Sequence, residues 1–347
     1  MAQFTFSSPL GRINKIKGEI LAHAVPVEVL GMTGQQKPFQ KNKGDTVLFR
    51  RYLPYGATTA SPNTWNIPAG ALAHLTTEGV TPTPDSLVPQ DITVTVQQYS
   101  VLYQVTDKTV DMYEDDIPAE MKRQTGERMA MVREMVRYGV IRGATNKFYG
   151  GTGTTRATTN GPITLSLLRR ITRSLRINHG KFITSILGPG PNYGTRSVEA
   201  AFIVYASTDS ESDFRNMAGF KETAIYANRK TVSDYELGSV ENFRIVLSPE
   251  LVSYPNAGAA VGSTGMYSTS GSNIDVYPVI VVAEDAWGQI PLRGADSIDP
   301  TWIPPGQKDK NDPLGQRGYV GAKTYFACVV LNQGWMAVAE VGITATP

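Results

Sequence analysis

Two runs of alternating residues stand out in the first third of the chain. In GDTVLFRRY (44–52), Val47, Phe49 and Arg51 alternate with Leu48, Arg50 and Tyr52. In DITVTVQQYSVLYQVTD (91–107), Ile92, Val94 and Val96 share one face, and Thr93 and Thr95 the other. Period-two alternation predicts strands. After Gln97–Gln98 the apolar phase moves to Tyr99, Val101, Tyr103 and Val105, which predicts a bulge or bend within the second run. Between the runs lies a stretch rich in Pro, Thr, Ala and Gly, with Pro54, Pro62, Pro68, Pro82, Pro84 and Pro89. Loops longer than about 15 residues are uncommon inside compact domains, and an isolated two-stranded ribbon is marginal in water. The pattern predicts a ribbon that rests on something else, another copy of the chain first of all.

Helical spacing follows. Met121, Thr125, Met129, Val132, Val136, Gly139 or Val140, and Gly143 recur at three-and-four intervals and predict a helix over 116–148. Asp115 or Asp116 caps it, and Pro118 is tolerated in its first turn. Lys122, Arg123, Glu127, Arg133 and Arg137 fall on its other face. Such a helix is a rod of roughly 45 Å. GGTGTTRATTNGP (150–162) reads as a flexible link. A second helix, Leu165 to Asn178, turns Leu168, Ile171, Leu175 and Thr172 inward and Arg169, Arg170, Arg173 and Arg176 outward, and ends at Asn178 and Gly180.

From Phe182 to Pro304, short apolar runs alternate with turn-rich segments. They predict strands at 200–206, 243–248 and 276–283, with SESDFRNMAGF (210–220) as a short helix. WIPPGQKDKNDPLGQRG (302–318) has the composition of a linker. KTYFACVVLNQGWMAVAEVGI (323–343) reads as two strands turning at Asn332–Gly334 and returning to the sheet of the first strands. Residues 1–43 are weakly patterned and read as an arm, with one strand within Leu21–Leu30.

Composition narrows the picture. The 347 residues are 41% hydrophobic, which is globular rather than disordered. The 33 basic and 31 acidic residues nearly cancel, so no whole-chain signal for nucleic acid exists. Cys328 is the one cysteine; it sits in an apolar strand and reads as a small buried hydrophobe, with neither a disulfide nor a cysteine zinc site possible. His23, His74 and His179 carry no ligand spacing. MAQFTFSSPLGRINKIKGEIL lacks the layout of a signal peptide, and no apolar run approaches the roughly 20 residues of a membrane span, so a reducing cytosol is the expected site of synthesis.

Candidate chemistry is sparse. The glycines from Gly151 do not complete a dinucleotide fingerprint, because they follow a helix and Arg156 interrupts them. Asp209, Glu211 and Asp213 resemble the start of a calcium loop, but Phe220 stands where its glutamate belongs, and an exposed acidic turn is the simpler reading. No GxSxG elbow is present. No catalytic, cofactor or metal residue is assigned. The outward arginines read as ordinary solvated helix faces paired with Glu120, Glu127 and Glu134 along or between helices. The competing reading has Arg169, Arg170, Arg173 and Arg176 facing packaged nucleic acid through non-specific phosphate attraction.

Several segments, in order, resemble the major capsid proteins of coliphage N-four and its relatives, within the HK-97-type capsid fold. GDTVLFRRYLP (44–54) resembles the ascending strand of that family's extended loop, LTTEGVTPTPDSL (75–87) its TEGVTP segment, and DITVTVQQYSVLYQVTD (91–107) its descending strand. FRNMAGFKETAIYA and YELGSVENFRIVLSPE (within 214–250), VYPVIVVAEDAWGQIPLRG (276–294) and DPLGQRGYVGAKTYFACVVLNQGWMAVAE (312–340) are similar to its central and C-terminal parts. The resemblance covers most of residues 40–342. The stretches 54–74 and 251–275 depart from it as longer or Gly/Ser-rich insertions.

The resemblance implies an α+β fold with an N-terminal arm (1–43), an extended β-ribbon loop (44–107), a peripheral domain (108–181) with the spine helix 116–148 and the second helix 165–178, an axial domain (182–304) and a return to the peripheral domain (305–347). It implies a coat protein, not an enzyme, that assembles as hexamers and pentamers into the icosahedral shell around the double-stranded DNA of a tailed phage. It would be made in the host cytoplasm and reside in the virion, without membrane or cofactor. Scaffold, portal and decoration proteins are the further partners implied. Candidate inter-subunit contacts are Arg50, Arg51, Tyr52, Glu78, Gly79, Val80, Thr81, Pro82, Gln316 and Arg317. The alternatives are an enzyme or ligand-binding protein with the 44–106 excursion as a lid, or a tail or decoration protein.

Overall fold

The computed structural model describes residues 28–37, 44–64, 71–72, 74–81, 84–113, 115–187, 195–226, 230–262, 264–291, 298–308 and 310–345. Along the chain these form β1 (Gln35–Gln36), β2 (Thr46–Tyr52), β3 (Pro89–Thr95), β4 (Gln97–Thr106), α1 (Asp107–Met112), α2 (Ile117–Ile141) and β5 (Lys147–Tyr149). Then follow α3 (Leu165–Ile177), β6 (Ile183–Leu187), β7 (Thr195–Ser207), α4 (Glu211–Arg215), β8 (Lys221–Glu222), β9 (Glu236–Val240) and β10 (Phe243–Ser248). The chain ends with β11 (Tyr277–Val282), β12 (Trp287–Pro291), β13 (Ile298–Ile303), β14 (Arg317–Val330) and β15 (Met336–Val341).

The centre is a mixed sheet in the order β5-β15-β11-β7-β10-β9-β8, with β6 also on β7. Every residue of β10, β11 and β15 is buried, and their sequences FRIVLS, YPVIVV and MAVAEV are nearly unbroken apolar runs. Such runs mark strands covered on both faces. Alternate residues feed two cores. Ile203, Tyr205, Val246, Ile280 and Val338 pack with Leu30, Tyr138, Ile141 and Trp287. Phe202, Val204, Ile245, Val281 and Ala339 pack with Leu167, Leu168, Ile171 and Leu175 of α3. Helix α3 starts where the Thr164 hydroxyl accepts the Leu167 N–H, and its apolar stripe lies against the sheet.

A second sheet runs β1-β12-β14-β13, with β4 on the other side of β14. Helix α2 lies across the β4–β14 pair. Met129 packs with Val101 and Ala322, and Met121 with Val105 and Val320. Asp116 caps α2 by accepting the Ala119 N–H at 3.1 Å, with Pro118 in the first turn.

Several sequence expectations are corrected. The spine helix stops at Ile141 rather than 148, a rod of roughly 37 Å. Gly139 and Gly143 weaken its end, and Lys147–Tyr149 instead pair in parallel with Val338–Glu340 of β15. The buried positions of its inward face pass from Met121, Thr125 and Met129 to Glu134, Arg137, Tyr138 and Ile141, with Val136 and Val140 half-buried against the same core as expected. Residues 28–37 are not an arm: Val29 and Leu30 are fully buried. Leu30 starts a 3-10 turn (Leu30–Met32) rather than ending a strand, and 21–27 lie outside the described residues. The two last strands part company. β14 pairs with β4 over ten residues, Arg317↔Thr106 to Phe326↔Gln97, as expected, but β15 joins the central sheet beside β11. Conversely β12 and β13, read as part of 182–304, pair with β14. The 302–318 linker is the loop of the β13–β14 hairpin, closed by Gly306 N–H to Gly315 O. The acidic turn is α4, with Asp213 buried and accepting the Thr344 N–H at 3.1 Å. Cys328 is buried on β14, and burial pushes its thiol up to about 12.

Candidate assembly surface

The two alternating runs pair as a ribbon. β2 and β3 run antiparallel in unbroken register from Thr46↔Thr95 to Tyr52↔Pro89, separately from both larger sheets. The phase shift read in the second run falls at Val96, between β3 and β4, one residue before Gln97–Gln98. Val96 N–H bonds Asp45 O, the last rung of the ribbon. Beyond that point the same run leaves β2 and pairs with β14. One stretch of sequence therefore serves first the ribbon and then the body.

Side chains reinforce the ribbon across its two strands. Arg50 Nε and Nη2 donate to the two oxygens of Asp91 at 2.7 and 2.8 Å. That two-point bond holds the Asp91 carboxyl below its ordinary range. Arg51 Nε and Nη2 both donate to Gln90 Oε1, at 2.8 and 2.6 Å. Tyr52 is exposed.

The root of the ribbon rests on its own chain, which corrects the expectation that another copy supplies the whole support. Gly288 of β12 is the reason: a Cβ there would lie 3.1 Å from the Phe49 ring and 3.3 Å from Leu331. Lys37 lies 5.0 Å from the centre of the Phe49 ring. The outer part is bare. Leu72, Leu75, Val80 and Leu87 are each more than 60% exposed. Glu78, Gly79, Val80 and Thr81 are exposed around a turn in which Val80 N–H bonds Thr77 O. Pro82 lies outside the described residues.

Gln316 and Arg317 sit elsewhere. The Gln316 carbonyl accepts the Asp107 N–H, and Asp312 Oδ2 accepts the Arg317 backbone N–H at 2.8 Å. Arg317 opposes Thr106, at the far end of β4 from the ribbon. That strand is ten residues long, about 30 Å. Within one chain, the two sets of candidate contacts are not brought together.

The arginines of α3 lie on its outer face, all exposed. Arg169 pairs with Glu241 (Nε–Oε1 2.9 Å), Arg170 lies 5.9 Å from the centre of the Phe148 ring and Arg176 4.9 Å from that of Phe182. The glutamates expected as partners along or between helices pair along α2: Arg123 contacts Glu120 and Glu127, and Arg137 contacts Glu134 at 3.2 Å.

Buried charge clusters went unread in the sequence, among them Arg244 with Glu236 (2.8 Å) and the groups around Glu134 and Glu340. The Glu134 carboxylate accepts the N–H groups of Val29 and Leu30, both at 2.9 Å, while Arg137 bonds Glu134, Glu28 and Gln289. Burial pushes the Glu134 carboxyl up, against the pull of Arg137 and the two amides. Glu340, on β15, receives Arg156 at 2.9 and 2.7 Å and Lys147 at 3.0 Å. Burial alone would raise its carboxyl, but these bonds outweigh burial and hold it below its ordinary value. A lone Glu inside MAVAEV was the available signal. Among the described residues no acidic, His or Cys cluster suits a metal, and no helix is long and apolar enough to cross a membrane.

No family model matches the chain. A major capsid protein of Pseudomonas phage KPP21 is 21% identical over 266 residues, 71% of this chain. That match spans 66% of the relative, just under two thirds of its length. Solved capsid structures are similar over nearly the whole chain. The capsid of Ralstonia phage GP4 matches with a TM-score of 0.64 at 12% identity, covering 100% of this chain and 99% of the other. The capsid of cyanophage P-SCSP1u gives 0.60 at 13% identity over 96% and 93%. The capsid of cyanophage Pam1 gives 0.57 at 14% identity over 100% of both. Ribbon, spine helix and two sheets thus make up a phage capsid fold of the HK-97-like kind.

Proposed function

We propose that this chain is the major capsid protein of a tailed phage and builds the icosahedral shell around its double-stranded DNA. The observation that carries the reading is the end-to-end likeness to capsid subunits, ribbon included. The ribbon fits that role physically. Its outer half bears the exposed large apolar side chains of Leu72, Leu75, Val80 and Leu87, and exposed apolar surface of this kind suits contact with a neighbour. Arg50, Arg51, Tyr52 and 78–81 on the excursion, and Gln316 and Arg317 at the far end of β4 from the ribbon, are the surfaces we assign to contacts between copies. Each interface is modest, and closed symmetry repeats it many times.

The order of motifs supports a place among the relatives of coliphage N-four. In this reading α2 and the β14 sheet form the peripheral domain and the central sheet the axial domain; α3, expected in the peripheral domain, packs on the central sheet and is assigned with it. Hexamers and pentamers are the building blocks, with scaffold, portal and decoration proteins as partners, and the virion as destination. Arg169, Arg170, Arg173 and Arg176 supply an exposed basic stripe for non-specific phosphate contact. Negative-stain microscopy of the purified full chain tests the reading: shells or five- and six-membered rings are expected, and a persistent monomer overturns it.

A further inference from the structure

The excursion between β2 and β3 is fastened to the body through an asparagine. Asn63 Nδ2 donates to Asn332 Oδ1 at 3.0 Å, and Asn332 Nδ2 donates back to Asn63 Oδ1 at 2.7 Å. Asn63 Nδ2 also lies 3.4 Å from Asn178 Oδ1. Both receiving residues are held in place. Asn332 is buried, and its Oδ1 also accepts the Gly334 N–H at 3.1 Å. Asn178, at the end of α3, donates to Ser174 O at 2.9 Å, and its carbonyl accepts Trp335 Nε1 at 2.7 Å. Asn63 thus ties the excursion to the end of α3 and to the turn between β14 and β15. Space for it depends on Gly334, where a Cβ would lie 2.4 Å from Asn63 Nδ2.

Around this contact the root of the ribbon is packed in part: Val47, Leu53 and Ala57 are buried, but open clefts lie beside them. A cavity of about 540 Å³ opens between it and the body, bordered by Arg51, Gln90, Asn63, Asn178 and Asn332. A second, of about 210 Å³, lies by Phe49, Ile92 and Trp335. Close packing fixes an element's direction by leaving it nowhere else to go, and the clefts leave that restraint incomplete here. The ribbon is also held at the Val96 bend, where Phe49 meets Gly288, where Lys37 Nζ donates to the Leu48 carbonyl, and through the buried Leu53 and Ala57. The amide pair adds to these a reciprocal pair of hydrogen bonds, made by the excursion itself to the β14–β15 turn.

We propose that the Asn63–Asn332 pair is a clasp that sets the angle at which the ribbon leaves the body, and with it the direction in which a subunit reaches its neighbour. The consequence for assembly rests on the shell reading; the clasp itself does not. The test combines hydrogen exchange on the full-length unassembled subunit with electron microscopy of assembled particles. Asn63→Ala removes both reciprocal bonds, and Gly334→Ala crowds them from the opposite side. In both variants the amides of 57–64 exchange about tenfold faster, as expected for losing two amide hydrogen bonds. Exchange in β7 and β11 stays as in the wild type, and particles become irregular or vary in diameter. Exchange of 57–64 within about twofold of wild type in both variants would overturn the clasp. So would faster exchange with particles of normal diameter and yield, which leaves a local contact without control of angle. If the wild type itself forms no particles while exchange responds as stated, the shell reading fails and the clasp stands.

Discussion

The central sheet and the ribbon are built from the same kinds of residue and differ in what covers them. β10, β11 and β15 are buried at every position, with a core on each face. β2 and β3 alternate between exposed and half-buried positions, and Val47 is the one buried residue between them. Each ribbon strand has one neighbour, whereas β7 has β6, β10 and β11. The contrast is sharpest within residues 89–106. On one side of Val96 the run lies in the two-stranded ribbon, and on the other it lies against β14 under α2. The body closes its own cores and does not need the outer ribbon for them. An element free of that duty is available for contact between copies.

The contrast can be broken from the body side first. Phe202→Ala, at the middle of β7 with the Phe182 ring 4.6 Å away, removes a fully buried ring. It should cost about 4 kcal/mol in a urea titration. Glu134→Ala leaves Arg137 and two backbone N–H groups without their carboxylate. The expected loss is about 3 kcal/mol, with faster hydrogen exchange at Val29 and Leu30. Glu340→Gln should cost about 1 kcal/mol near neutral pH, since Arg156 and Lys147 are partly exposed. Because the folded-state carboxyl sits below its ordinary value, its contribution is complete above the unfolded glutamate pKa of about 4.3 and fades as pH falls through the lower folded value. The gap between wild type and Glu340→Gln should therefore close in acid; a gap constant down to strongly acidic pH would contradict the assignment. On the ribbon, Arg50→Ala should leave the unfolding midpoint of the body unmoved while amide exchange in 46–52 accelerates.

The ribbon was legible because period two is a local signal, and its bend was legible because the apolar phase slips at Gln97–Gln98. The end of α2 was not. Residues 142–148 can continue a helix or stop, and the open edge of β15 decides by pairing with Lys147–Tyr149. The inward turn of Glu134 and Arg137 was hidden for a related reason. Helical spacing sorts charge to solvent unless a distant partner claims it, and Glu28 and Gln289 lie over a hundred residues away. β14 and β15 look alike as apolar strands, so their division between two sheets had no mark in sequence. Of the candidate contacts, the ribbon residues and Gln316–Arg317 were readable as segments, but their separation required the β4–β14 register. Asn63 carried no pattern at all: an amide in a Pro-rich loop gains meaning only from what it meets.

The central claim is that the body folds without the outer excursion and that the excursion exists for neighbouring copies. Deleting residues 56–86 spares both strands of the ribbon, Thr46–Tyr52 and Pro89–Thr95, and tests the claim most directly. The shortened chain should unfold cooperatively with the midpoint of the body, and microscopy should find no shells where the full chain forms them. Normal shells from the shortened chain, or a shortened chain that does not fold, would contradict the account.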